Sequence, residues 1–434
     1  MTTPVLTAVT TSEWEARLVG NLERAGSGLR VARRCVDLAD LLAAASAGHG
    51  RAVILSADLR GLDRDALGQL LHSGVAPVGM VAVGDEDGER RLRQMGISRV
   101  VVATASAADV ASAVDGAVAA LEHPSSHTSV VTGTLASLSD SEPDPNDPAR
   151  PGRLIAVWGP TGSPGRTTLA INLAAEIAQR GRATLLADVD PYGASVAQHL
   201  GLLDEPAGIA AAARLANNGA LDLPHLARTA RQLAPRLRVL TGLNRTERWP
   251  ELRPTSLEAI WDLARGLAQV TIADCGFCLE RHEELGLEAI TPQRNAATLT
   301  TLDHADLIIA VGSADPVGLQ RLVRGLAELG ELASSAPIRV VVNRVRESIG
   351  GNHPGAQVSE VLRRDAGIGN VVVIPDDRQA CDRALMAGQL LAEAAPSSPA
   401  RSAIRSLAVS LIGEQLPDHR RSRRWRKRQP VSTQ

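Results

Sequence analysis

Lysine is almost absent from this chain. Of 46 basic residues in 434, one is a lysine, Lys427 near the C-terminus, so no lysine-dependent chemistry fits inside the folded part. Aromatic residues are scarce too, at 2%, which leaves Ala, Val, Leu and Ile to build the core and suits close helix–sheet packing. No apolar run approaches the ~18 residues a membrane span needs. The N-terminal stretch has no basic region ahead of an apolar core and does not read as a secretory signal. Four cysteines (Cys35, Cys275, Cys278, Cys381) are too few for a disulfide framework in a chain of this length. These absences together predict a cytoplasmic protein.

What is present is ordinary in amount, with 44% hydrophobic and 22% charged residues, and the length suggests two or three domains. The net charge of −2 is uneven. Residues 420–434 hold seven basic and no acidic groups, so the rest of the chain carries −9. From 1 to 121, short apolar runs (Val5–Val9, Leu29–Ala32, Ala52–Leu55, Val78–Val83, Val100–Val102) alternate with helical spacing at Glu13–Arg24, Asp40–Ala47 and Ala108–Leu121. That alternation predicts a small (βα)5 domain with a parallel sheet. Residues 122–152, rich in Ser, Pro and Asp, read as a disordered linker. From 153 to 416 the alternation resumes at larger scale. Strands are expected at Leu154–Val157, Thr184–Ala187, Leu237–Leu240, Val270–Ala273, Leu307–Val311, Arg339–Val342 and Val371–Ile374, and helices at Leu169–Gln179 and Leu319–Leu332. This is the pattern of one large doubly wound α/β domain. Residues 417–434 form a basic tail, beyond a helix expected to cover Ser402–Leu416.

The strongest motif follows the first strand of the large domain. Leu154–Trp158 runs into Gly159-Pro-Thr-Gly-Ser-Pro-Gly165-Arg166-Thr167-Thr168 and then into a helix. A glycine-containing loop at a strand-to-helix junction points backbone N–H groups at an anion, and the helix N-terminus adds its positive dipole end. In the usual phosphate loop, Gly-x4-Gly-Lys-Ser/Thr, the lysine reaches the terminal phosphates and the hydroxyl binds Mg²⁺. Here Gly165, Arg166 and Thr167 hold the last three positions and Pro160 holds the first. Carboxylates then end two further strands, Asp188 and Asp190 in Ala-Asp-Val-Asp-Pro191, and Asp274 after Val270-Thr-Ile-Ala. At the C-terminal ends of parallel strands such groups sit in the ligand crevice, where they can hold Mg²⁺ through water and orient an attacking water. Any one of them could be a helix cap; three in order after a glycine loop favour a nucleotide site.

The set resembles the MinD/ParA family of deviant-Walker ATPases, and within it the CpaE/TadZ branch of Flp-type pilus proteins. That family's Lys-Gly-Gly-x-Gly-Lys-Thr-Thr loop falls on Thr161 to Thr168. The resemblance implies ATP and Mg²⁺ as cofactors, with Gly162, Gly165, Arg166, Thr167 and Thr168 cradling phosphate. It makes Thr167 the Mg²⁺ ligand and Asp274 a water-mediated one, places the attacking water on Asp190, and puts Asp188 beside it. Asn343 matches the family's adenine-reading asparagine, and Pro375-Asp376-Asp377 its base-pocket loop. Two positions depart. The signature lysine that crosses a dimer interface is Thr161, and the loop lysine is Arg166. Arginine is planar and strongly cationic, not an equivalent point charge, so nucleotide binding is expected more firmly than hydrolysis.

Asp58, at the end of the third strand of the front domain, resembles the phosphoacceptor of a receiver domain. The first strand ends Val9-Thr10-Thr11 without the acidic pair, and the fifth ends Val102-Ala103-Thr104 without the lysine. A lone aspartate lacks the electrostatic support that phosphoryl transfer requires, so the domain is expected to serve docking or dimerisation. Such a domain ahead of the ATPase is characteristic of CpaE-like proteins. Cys275 and Cys278 form a CxxC with no further zinc ligands at suitable spacing, and read as small residues packed beside the site. The basic tail, with Trp425 inside it, suits anionic lipid at ~1 kcal/mol per charge; a solubilising tail is an equal reading, and nucleic acid ranks third because the rest of the chain is acidic. The expected protein is an ATP-dependent dimer that organises Flp/Tad pilus assembly at the cytoplasmic membrane face. Its receiver-like domain would dock to pilus, secretion or polar-localisation proteins. The alternatives are a non-catalytic scaffold and a septum-site or chromosome-partition ATPase.

Overall fold

The computed structural model describes residues 2–24, 27–122, 151–162, 164–202, 206–281, 292–332, 336–346, 348 and 353–413. The linker and basic tail expected from the sequence lie almost wholly outside these residues.

The front unit alternates β1 (Thr3–Ala8), α1 (Ser12–Arg24), β2 (Leu29–Arg34), α2 (Leu38–Ser46), β3 (Ala52–Ser56), α3 (Arg64–His72), β4 (Ala76–Val81), α4 (Glu86–Met95), β5 (Val100–Val102) and α5 (Ala107–Glu122). All its strand pairs are parallel, in the order β2-β1-β3-β4-β5. This is the doubly wound order of flavodoxin- and receiver-like folds. Leu41, Leu67 and Leu92 pack from α2, α3 and α4 on one face, and Leu18 and Val110 from α1 and α5 on the other. Local signals set several ends: Asp37, Asp63 and Asp85 each accept a backbone N–H at the start of α2, α3 and α4.

The second unit carries β6 (Arg153–Trp158), α6 (Arg166–Gln179), β7 (Thr184–Asp188), α7 (Val196–His199), α8 (Gly208–Asn217), α9 (Leu223–Thr229), β8 (Arg231–Ala234), β9 (Leu237–Leu240), α10 (Pro254–Leu267) and β10 (Val270–Asp274). It continues through α11 (Ala296–His304), β11 (Leu307–Ser313), α12 (Pro316–Gly330), β12 (Ile338–Val345), α13 (Pro354–Ala366), β13 (Val371–Pro375), α14 (Arg378–Ala387), α15 (Leu391–Ala394) and α16 (Pro399–Ile412). Eight strands form one sheet in the order β13-β12-β11-β6-β10-β7-β9-β8. Among the described residues only the β8–β9 pair is antiparallel. The inner strands are buried along their length, as a parallel sheet covered on both faces requires. Helices α8–α13 cover one face and α6 with α14–α16 the other. β6 lies between β11 and β10, so its C-terminal end opens where the strand order reverses, the usual ligand crevice.

Two expectations are corrected here. Edge strand β8 was not foreseen; its sequence, Arg-Gln-Leu-Ala, has little apolar content to mark it. The last helix ends at Ile412, with Gly413 in the left-handed conformation stopping it, not at Leu416. Its apolar residues Ile404, Leu407 and Leu411 are packed into the core. They are therefore unavailable as a membrane face, and any lipid contact falls to the basic run alone.

Candidate functional site

The site grows from the end of β6. The chain leaves the strand, crosses Gly159–Gly165 and enters α6, whose N-terminal residue is Arg166. Gly162 and Gly165 have φ of +107° and +95°, a region that side chains strongly disfavour. Their backbone conformations are thus ones that favour glycine, and Gly165 takes up the N-cap position of α6. Thr167, in the first turn of α6, donates its hydroxyl proton to Asp274 Oδ2 at 2.6 Å.

Asp274 and Asp188 end neighbouring strands and face each other in register. Asp274 is buried, and its Oδ1 has no partner among the described residues. Burial, then the charge of Asp188, holds its carboxyl well above the ordinary range. Asp188 is equally buried, and its pKa is pushed up to about 7 by burial and by Asp190, against the opposing pull of backbone N–H groups. It accepts from the N–H groups of Ser195 (2.9 Å), Val196 (3.0 Å) and Asp190 (3.2 Å), so it organises the turn that follows β7. Asp190 accepts from the N–H groups of Tyr192 (2.8 Å) and Gly193 (3.1 Å) through Oδ1, and its Oδ2 lies 3.5 Å from Arg166. Arg166 Nη1 also donates to the carbonyls of Gly159 (2.9 Å) and Pro160 (3.2 Å). The guanidinium therefore bridges the start of the loop and Asp190.

The donor set is one hydroxyl and one carboxylate oxygen that is unpartnered among the described residues. That fits Mg²⁺, which takes oxygen ligands, keeps several waters and often rests on one carboxylate plus phosphate. No cluster of three or more His, Cys, Asp or Glu side chains able to hold a metal occurs among the described residues, so phosphate and water oxygens would have to complete the shell.

Beside the loop opens a cleft of about 340 Å³, lined by Gly165, Thr168, Asn343, Arg344, Pro375 and Asp376 among others. Residues from three separate segments named by the sequence thus meet in one cavity. β12 bulges after Val342, and Arg344 takes φ 59°, the only positive φ of a non-glycine residue among those described. Such strain is characteristic of functional loops. Asn343 donates through Nδ2 to the carbonyl of Pro164 at 2.8 Å. That bond uses one of the two amide N–H donors, so the second N–H and the oxygen keep the donor–acceptor pair anticipated from sequence. Asp377 caps α14 and accepts from Ser398 Oγ at 2.6 Å, tying the cleft's rim to α16.

A second cluster was missed. Tyr192 and Phe277, the chain's single tyrosine and single phenylalanine, stack at 4.9 Å between centroids. Arg294 lies 4.1 Å above the tyrosine ring, and Tyr192 donates to Asn295 Oδ1 at 2.6 Å. The rings join the loop after Asp190 to the loop after Asp274. Their position just beyond two strand-end aspartates, in a chain nearly devoid of aromatics, was the available signal. Cys275 is buried with its thiol pKa raised by burial, and Cys278 accepts from Asn295 Nδ2 at 3.2 Å, in keeping with packing roles. In the front unit, Thr10 donates to Asp58 Oδ1 at 2.6 Å. Desolvation pushes the Asp58 pKa up, but hydrogen bonds from Thr10 and Ser56 outweigh it and hold it below the ordinary value. A hydroxyl stands where a receiver's metal-binding acids would be.

A glycine loop at the switch point of a doubly wound sheet, with a hydroxyl and strand-end carboxylates around it, defines a P-loop nucleotide-binding protein. Residues 155–387, more than half the chain, match the CobQ/CobB/MinD/ParA nucleotide binding domain family. The chain belongs to that family. The ParA family ATPase from Chlorobium tepidum TLS shares the fold, with a TM-score of 0.52 at 18% identity over 60% of this chain and 99% of that one. The septum site-determining protein MinD from Pyrococcus horikoshii OT3, solved with Mg-ADP, aligns at 20% identity over 60% of this chain and 96% of its own, TM-score 0.47. The MinC:MinD cell division complex from Aquifex aeolicus aligns at 18% identity over 61% and 98%, TM-score 0.46. No curated protein matches the chain.

Proposed function

We propose that the protein is an ATP-binding, Mg²⁺-dependent dimer switch that organises Flp/Tad-type pilus assembly. The single observation that carries the nucleotide reading is Thr167, bonded to a buried aspartate whose second oxygen has no partner among the described residues, at the mouth of a glycine loop. In this reading Gly162, Gly165, Arg166, Thr167 and Thr168 hold phosphate, Thr167 and Asp274 hold Mg²⁺, and Asn343, Pro375 and Asp376 line the base cleft. Bound Mg²⁺ would neutralise phosphate charge that the two buried aspartates alone would repel. Asp190, freed from Arg166 as that side chain turns to phosphate, would hold the attacking water; Asp188 keeps the turn beneath it in place. The pilus assignment is supported by a receiver-like unit, residues 1–121, ahead of an ATPase unit, 153–416, the arrangement of the CpaE/TadZ branch that the sequence resembles. The receiver-like unit would dock to a secretion or polar partner at the inner membrane face.

A non-catalytic scaffold is the second reading. It is favoured by Arg166, whose guanidinium is already held by two loop carbonyls and a carboxylate. ATP binding and turnover by the purified chain, with and without Mg²⁺, separates the two. Binding lost in Arg166→Ala together with turnover lost in Asp190→Ala is the expected outcome for a working ATPase. Binding without turnover leaves an ATP-gated switch, and no binding in the unsubstituted protein leaves the scaffold.

A further inference from the structure

The glycine loop has one cation of its own, Arg166, and a neutral Thr161 where the resembling family carries a second. The fold brings another guanidinium to the same loop. α12 follows β11, the sheet neighbour of β6, and packs against the loop's base. A Cβ added to Gly325 would lie 2.8 Å from the Trp158 ring and 3.5 Å from Pro160, so the glycine lets the helix close in. Four residues earlier on the same helix, Arg321 extends along the loop, and a Cβ on Gly162 would run into its Nη1. Gly162, next to Thr161, needs to be glycine for its φ of +107°, and the Arg321 guanidinium lies over the side that a Cβ would occupy.

Arg321 is exposed, and among the described residues it makes no ion pair or hydrogen bond. Its neighbour Arg324, by contrast, is paired with Glu328 at 3.0 Å. A guanidinium that touches a glycine loop and has no anion is uncompensated charge beside a site built for phosphate. The unbonded state costs little while the group stays in water, and the bond forms when an anion arrives. We infer that Arg321, held by α12 against Gly162, is a phosphate-binding residue of the nucleotide site and supplies the second cation that Thr161 does not. The inference rests on the loop being an ATP site.

Equilibrium binding of ATP, ADP and adenosine to the full chain in Mg²⁺ buffer tests it, using the unsubstituted protein, Arg321→Ala, Arg321→Lys and Arg324→Ala. Loss of one charge-assisted phosphate contact predicts about tenfold weaker ATP binding in Arg321→Ala. Lysine should restore most of it, Arg324→Ala should stay within twofold, and adenosine binding should not move. The salt dependence of ATP binding should also become shallower in Arg321→Ala, which a merely structural role would not produce. A loss confined to ATP places the contact at the terminal phosphate; a loss shared with ADP places it further in, and either supports the assignment. Arg321→Ala binding ATP within twofold of the unsubstituted protein overturns it while leaving the ATP site standing. Absence of ATP binding in the unsubstituted protein overturns both. Because Arg321 is exposed, unchanged melting temperatures are expected to accompany the substitutions.

Discussion

At the scale of single residues, the site's tension lies in two carboxylates that end adjacent strands out of reach of water. Burial pushes the Asp188 carboxyl up from an ordinary 3.8 to about 7 in the fold. A folded pKa raised in this way favours the protonated form, so the stability it contributes is complete below about pH 4 and is lost as pH rises through about 7. Asp274 is shifted in the same direction. Without nucleotide, the melting temperature should therefore fall as pH rises from 5 through 7. Asp274→Asn removes one of the two charges and should melt about 2–4 °C higher at pH 7.5 for each kcal/mol relieved, with a shallower pH slope. The same substitution should abolish stabilisation by Mg²⁺ with ATP. Thermal melts across pH, with and without Mg²⁺-ATP, check both arms; a variant that melts lower at pH 7.5 would contradict the account.

At the scale of elements, legibility tracked local signal. Buried parallel strands such as β7 and β10 are continuous apolar runs, and each ends in a carboxylate that the sequence already shows. The glycine loop, the aspartates and Asn343 could be named because their residue types are rare at strand ends. β8 could not, because an antiparallel edge strand owes its place to its neighbour β9 rather than to its own composition. Nor could the use of α16 be read from its spacing. Ile404, Leu407 and Leu411 make the same stripe for a membrane as for a core, and only the packing against α6 and β13 decides between them. Leu407→Ala should accordingly cost about 2–5 kcal/mol of stability, the range for a buried leucine. Removing residues 417–434 should leave the denaturation midpoint unchanged. Urea unfolding of the two variants checks this, and a neutral Leu407→Ala would return the stripe to the surface.

On the scale of the whole molecule, the front unit is fastened to the nucleotide-binding unit through one face. Arg64 on α3 donates to the carbonyl of Thr255 at 2.9 Å, and Asp65 pairs with Arg253 at the start of α10. Asn217 at the end of α8 donates to Asp63 at 3.1 Å, and Arg91 on α4 donates to the carbonyl of Asn218 at 3.2 Å. Burial pushes the Asp65 carboxyl up while Arg253 pulls it back, so that pair is both desolvated and mutually dependent. Removing one partner of such a pair costs about 2 kcal/mol or more, largely through the charge left behind. Neither the pair nor the face was visible in the sequence, because Asp65 and Arg253 are ordinary charged residues at ordinary helical positions. The receiver-like unit thus sets a charged face against α8 and α10. Asp65→Arg sets two cations against each other, and small-angle scattering should show a larger radius of gyration than for the unsubstituted protein. The double reversal, Asp65→Arg with Arg253→Asp, should restore the original radius, because the pair's attraction is symmetric in sign while its surroundings change little. Identical scattering from the single variant and the unsubstituted chain would mean that the pair does not hold the units together and that the hydrogen bonds of Arg64 and Arg91 suffice.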